Sequence, residues 1–223
     1  MFTDVFHHRH SFNRLRPGTA WFSYIGLCLD LHLGCKCRVI FDFIHVFEKN
    51  YRLNQALIKD KRLERLSLLA ASHKDALTEE GVEEVLDELK SQFEYILCDS
   101  PAGIESGARH AMYFADDAIL VTNPEISSCR DSDKMIGFIA SKSLRAIEGR
   151  VPDNQQLLID RYDANRVRNE DCLSVDDIGE MLGLPVCGVI PESPHVLTSS
   201  NMGTSVTEQS SEVQKSLKAV SGD

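Results

Sequence analysis

Asp99 closes a short apolar run, Tyr95-Ile-Leu-Cys98, and Ser100-Pro-Ala-Gly103 follows it directly. This is how a buried parallel strand delivers a carboxylate to the carboxyl edge of a sheet, where α/β proteins bind their ligands. An aspartate in that place can hold the water shell of Mg²⁺, and Gly103 can offer an uncrowded backbone N–H to a phosphate. An aspartate capping the turn after a strand is the commoner use of the residue type. The phosphate-cradling pattern G-x-x-x-x-G-K-[ST] occurs nowhere in the 223 residues. The sequence therefore carries one half of a nucleotide site without the other.

Two further segments end apolar runs in the same manner. Asn123-Pro124-Glu125 follows Ala118–Thr122, and the proline forces the chain out of the strand so that Glu125 faces the ligand crevice. In isolation Glu125 reads as a solvated loop carboxylate. Arg161-Tyr162-Asp163 follows Leu157–Ile159, where a base-reading residue would belong. Adenine is served best by an amide, which donates and accepts together, whereas an ionised Asp163 only accepts. A turn aspartate is the preferred reading there. Cys35-x-Cys37 and the cluster His7, His8, His10 do not make a metal site, because no second cysteine pair follows at zinc spacing. Ser141-Lys142-Ser143 lies within a helical stretch and lacks a glycine-rich lead, so it is a surface segment.

The elements that must position these residues alternate in the βα manner from Leu66 onward. Leu66–Ala71, Tyr95–Cys98, Ala118–Thr122, Leu157–Ile159 and Pro185–Ile190 are expected strands. A helix is expected over Glu79–Ser91, with Val82, Val85, Leu86 and Leu89 on one stripe and acids opposite. Another is expected over Asp131–Ile147, turning Met135, Ile136, Ile139 and Leu144 inward. A third starts at Ser174, capped with Asp177 three residues on, and stops at Gly183. The pattern predicts a doubly wound, mostly parallel sheet with helices on both faces, an α/β/α architecture. Residues 1–24, rich in His, Arg and Phe, form an atypical segment ahead of an α/β domain over 25–223.

The formal net charge of −10 excludes a binder of nucleic-acid backbone, which needs a basic face. Residues 1–38 hold five Lys/Arg against two Asp/Glu, leaving nineteen against thirty-two in the rest, so the acidity belongs to 39–223. Seven cysteines scattered through apolar runs suit a reducing compartment better than a disulfide framework. The tail Val213–Val220 has too few large apolar residues and lysines to anchor at a lipid surface by itself.

Taken in order, many short segments resemble the MinD branch of the MinD/ParA family of P-loop ATPases. The matching text includes Gly26-Leu27, Leu29-Asp-Leu31, Arg38-Val-Ile-Phe-Asp-Phe43, Leu53-Asn-Gln-Ala-Leu-Ile-Lys-Asp-Lys-Arg62 and Lys74–Thr78. It continues through Cys98–Glu105, Tyr113–Asp116, Thr122–Glu125, Arg130–Asp133, Gly188–Glu192 and Ser200–Gly203, covering about residues 25–206. The resemblance implies a P-loop NTPase-like fold, ATP with Mg²⁺, ATP hydrolysis, a homodimer, and a role in cell division through septum site determination. It implies a MinE-like activator, a MinC-like inhibitor and peripheral membrane association, in the cytoplasm or an organelle stroma or matrix. Residue by residue, it places Asp99 and Gly103 on the second switch. Glu125 falls at the ribose and Asp163 on the adenine side. Ser127, Asp131 and Asp133 fall on the partner-binding helix face. The first-switch aspartate of the family is Tyr24 here, the strand–loop–helix that opens the family is replaced by residues 1–24, and the C-terminal membrane helix is not found. A non-catalytic partner-binding module and an incomplete fragment of a longer protein are the competing readings. Removal of a central strand leaves two rows of unpaired backbone groups. Residues 1–24 offer only Ala20–Ile25 as an apolar run, better suited to the family's second strand. The chain alone is thus expected to aggregate, or to lack order before residue 25.

Overall fold

The computed structural model describes residues 3–8, 19–23, 38–60, 66–70, 77–100, 106–149, 154–202 and 213–216. The strands are β1 (Thr3–His8), β2 (Thr19–Ser23), β3 (Ile58–Lys59), β4 (Leu66–Leu69), β5 (Tyr95–Ser100), β6 (Asp117–Thr122), β7 (Asn154–Tyr162) and β8 (Val186–Pro191). They form one eight-stranded sheet in the order β3-β4-β2-β5-β1-β6-β7-β8. Pairing is parallel for β4–β2, β2–β5, β6–β7 and β7–β8. It is antiparallel for β3–β4 and on both sides of β1.

The helices are α1 (Phe43–Phe47), α2 (Leu53–Ala56), α3 (Glu79–Gln92), α4 (Ser106–Tyr113), α5 (Ile126–Lys142), α6 (Leu144–Ile147), α7 (Ala164–Arg168), α8 (Val175–Leu182) and α9 (Pro194–Met202). Helix α3 starts where Thr78 accepts a hydrogen bond from the Gly81 N–H, carries Glu79 and Glu80 in its first turn, and buries Val82, Val85, Leu86 and Leu89. Helix α8 has the expected capping box between Ser174 and Asp177 and ends on Gly183 at φ 65°. The Ser174 hydroxyl and N–H hold the Asp177 carboxyl below its usual range. These helices pack with the inner strands around one core, in which Leu89, Leu120, Met135, Ile139, Leu157 and Ile159 are wholly buried.

The structure corrects several boundaries. β5 runs on through Asp99 to Ser100 rather than stopping at Cys98, so Asp99 lies inside the strand. β7 is nine residues long, not the short Leu157–Ile159 run. The helix expected over 131–147 begins five residues earlier, with Glu125 at its N-cap. It breaks at Ser143 because the Ser143 hydroxyl donates to the Ile139 carbonyl at 2.7 Å and accepts from the Ala146 N–H, ending one helix and starting the next. Met135 and Ile139 are buried as expected, while Ile136 and Leu144 are partly buried against the core. The largest difference lies at the start of the chain. Thr19–Ser23 takes the expected second-strand place beside β4 and β5, but Thr3–His8 also forms a strand, in the central position between β5 and β6. Its residues show no apolar alternation; main-chain pairing on both flanks selects the conformation.

Candidate functional site

The carboxyl ends of β5, β6, β7 and β8 share one edge, as the parallel register of β6–β7–β8 and the common antiparallel partner of β5 and β6 require. Asp99 and the buried Ser100 end β5 there. β6 ends in Thr122, whose side chain is fully buried. Asn123-Pro124 then turns the chain into α5, with the Glu125 N–H on the Asn123 carbonyl at 2.7 Å and the Leu173 N–H on the Pro124 carbonyl. The Glu125 side chain is exposed and makes no cap hydrogen bond, though its charge sits at the positive end of a long helix. One strand separates β5 from β6, so these two strands lie about 10 Å apart across the sheet, with Asp99 level with Ile119 and Glu125 six residues further along the chain.

β7 ends irregularly. Its register with β8 shifts between Ile159 and Tyr162, and Arg161 adopts φ 55°. That left-handed conformation is costly for a side chain with a Cβ and re-aims the strand end. Arg161 reaches across to Glu192 at the end of β8, with Nη2 donating to Oε1 at 3.1 Å, and the Glu192 N–H bonds the Tyr162 carbonyl. Thirty-one residues separate the pair, so spacing gave no signal of it. Asp163 accepts from the Asn165 N–H at 2.8 Å and caps α7. That is the turn-aspartate geometry that its chemistry favoured.

Asp160, in the irregular stretch of β7, went unnoticed in the sequence. Burial pushes its carboxyl above the ordinary range; the Arg161 N–H and guanidinium oppose that and Glu192 reinforces it. With the folded value raised, the charged form costs stability above that value, and the cost disappears as pH falls below about 4. Asp160→Asn is therefore expected to raise Tm at neutral pH, with the gain closing in acid. Melting curves of both proteins from neutral to acid pH check this, and equal Tm throughout would contradict it.

On α5, Cys129, Ser132, Met135 and Ile139 point inward and are buried. Ser127, Asp131 and Asp133 are all exposed, and at 100° per residue the three fall on the outward half of the helix. Asp131 pairs with Lys134 at 2.8 Å, in a bridge too exposed to contribute much. Burial raises the Cys129 thiol pKa, with a bond to Thr122 opposing, so it is a packing residue and not a nucleophile. Gly103, Tyr24, Gly26 and the cysteines at 35 and 37 lie outside the described residues, as does His10. Among the described residues no group of three or more His, Cys, Asp or Glu could hold a metal ion, and no helix is long and apolar enough to cross a membrane.

The edge does not fit a phosphate cradle as described. A cradle leaves the carboxyl end of a central parallel strand beside the aspartate. On one flank β5 is parallel to β2, whose Ser23 stands beside Asp99, but the strand between β5 and β6 runs the other way, setting Thr3 opposite Ser100 and Leu120, with His8 at the far edge beside Tyr95.

Sheet order, flanking helices and the aspartate at the end of β5 define an α/β protein of the P-loop nucleotide-hydrolase class. No protein-family model matches the sequence. The chain is 55% identical over 182 residues to the septum site-determining protein MinD of Escherichia coli K12, spanning 80% of this chain and 67% of that protein. To MinD of Neisseria meningitidis serogroup B it is 54% identical over 189 residues, 82% of this chain and 69% of that one. The MinD of the MinC:MinD cell division complex of Aquifex aeolicus superposes with a TM-score of 0.80 at 32% identity, covering 92% of this chain and 82% of that chain. The MinD of Pyrococcus horikoshii complexed with Mg-ADP gives 0.75 at 25% identity, with 92% and 83% covered. The chain belongs to the MinD family. It is a MinD-like, ATPase-family protein of division-site placement.

Proposed function

We propose that this chain acts in division-site placement by presenting the outward half of α5 to a MinC-like inhibitor and a MinE-like activator. One observation carries the reading: Ser127, Asp131 and Asp133, the positions that the family likeness assigns to partner binding, share the solvent side of one well-anchored helix. The Aquifex aeolicus relative forms a MinC:MinD complex, which supports the inhibitor as a partner. Asp99 with Gly103 would serve Mg²⁺ and phosphate, Glu125 the ribose and Asp163 the adenine side, in a homodimer with peripheral membrane association. Those nucleotide roles are independent of the partner face, and the antiparallel run of β1 beside β5 weighs against them.

Asp131→Lys combined with Asp133→Lys tests the face. Both side chains are exposed, so the fold should melt unchanged. Affinity for the MinC-like protein of the same source, measured by calorimetry, is expected to fall about tenfold or more, as reversal of rim charges does. Undiminished affinity would move the interface elsewhere.

A further inference from the structure

Between α1, the turn that follows it and α3 lies a cavity of about 570 Å³, within the range of small-ligand pockets, that shares no residue with the sheet edge or with the partner face of α5. One wall is a single stripe of α3, where Gly81, Glu84, Val85 and Glu88 recur at helical spacing. The facing wall is the turn after α1, which brings Lys49, Tyr51 and Arg52 to the cavity. Both walls are fixed by their neighbours. The Phe47 ring lies against the backbone of α3 at Gly81, where a Cβ would run into it. Tyr51 stacks on Phe41, with ring centroids 3.8 Å apart. The turn is closed by the Asn50 and Tyr51 N–H groups on the His45 carbonyl, with Lys49 at φ 61°.

The two walls carry opposite charges, and only half of them are matched. Lys49 Nζ spans the cleft to Glu84 Oε2 at 2.8 Å, in a pair so exposed that it opens easily. Arg52 and Glu88 form their hydrogen bonds through the backbone, to Gln55 and Ser91. Among the described residues the Arg52 guanidinium and the Glu88 carboxylate have no partner, nor does the side-chain amide of Asn54 on the same cavity. These charges exclude whole classes of ligand. Glu84 and Glu88 repel a phosphate or any other multiple anion, and Lys49 and Arg52 repel a polycation. A molecule with one charge of each sign fits, with apolar surface between the charges for Phe47 and Val85. The amide of Asn54 donates and accepts together, which matches a peptide group.

We propose that this cavity binds a short zwitterionic peptide. Its free carboxylate lies on the Arg52 guanidinium, its ammonium on Glu88, and an apolar side chain between them against Phe47 and Val85. The site is independent of α5 and survives the failure of that reading.

Calorimetric titration of the full chain with the free tripeptide Gly-Phe-Gly supplies the test. Saturable binding is expected, and acetylating the amino end or amidating the carboxyl end of the peptide should each weaken it about tenfold. Arg52→Glu and Glu88→Lys should each weaken it to a similar degree with Tm unchanged, since both side chains are exposed. The double variant Arg52→Glu with Glu88→Lys should recover most of the affinity, because a peptide with like ends can lie the other way round. Failure of the unaltered chain to bind Gly-Phe-Gly overturns the proposal. So does equal affinity for the peptide blocked at both ends, or a double variant as weak as the single ones.

Discussion

Titrated with MgATP, the purified chain is expected to show no micromolar binding, with hydrolysis at background and Asp99→Ala changing neither. In a P-loop site the charge on the phosphates is met by a row of backbone amides and a lysine on a loop leaving the central strand, with the switch aspartate acting through the metal that they help to fix. Asp99 is in place at the end of β5. Its neighbour β1, however, presents its amino end at that edge, with Thr3 rather than a loop beside Ser100 and Leu120. Nor does the sequence hold a G-x-x-x-x-G-K-[ST] segment. A carboxylate alone repels the triphosphate, so the expected dissociation constant is weaker than about 1 mM, roughly a thousandfold above a micromolar site. Isothermal calorimetry with and without Mg²⁺ checks this, and a micromolar constant sensitive to Asp99→Ala would show that other residues build the cradle.

Leu120→Ala is expected to be the most damaging conservative change to the fold. Leu120 has no exposed surface, lies in β6 near the middle of the sheet, and stands in register with Thr3 on one side and Leu157 on the other. Truncation there loses the transfer energy of the removed carbons and leaves a cavity that a two-sided strand cannot close, about 2–5 kcal/mol. For a chain of this size that corresponds to a fall in Tm of roughly 5–15 °C. Ile126→Ala is the control, because Ile126 is 54% exposed and its loss should lie within about 0.5 kcal/mol. Denaturant titration of the two variants separates them. Equal effects would mean that the centre of the sheet is not where the cohesion of this chain resides.

Much of this protein was legible in one dimension because the signals are local. Thr78, Ser174 and Gly183 mark helix ends through bonds to backbone groups within three or four residues, and a sequence window contains both partners of each. The stripe Val82, Val85, Leu86, Leu89 and the apolar runs of β5 and β6 fix period and burial in the same way. The family followed from the order of many such segments. The boundary at Ser143 was also local, yet it was missed, because an apolar period continues through it and only the serine's bonds to Ile139 and Ala146 end the helix. What the tertiary structure alone decided are pairings between distant residues. Arg145 donates through Nε at 3.2 Å and through Nη2 to Asp116, twenty-nine positions away, and Arg161 joins Glu192 across two strands. The direction of β1 belongs with these. A strand's residues read the same whichever way it runs, so orientation is set by the neighbours' free N–H and C=O groups and by the connection, neither of which is written in Thr3–His8 itself.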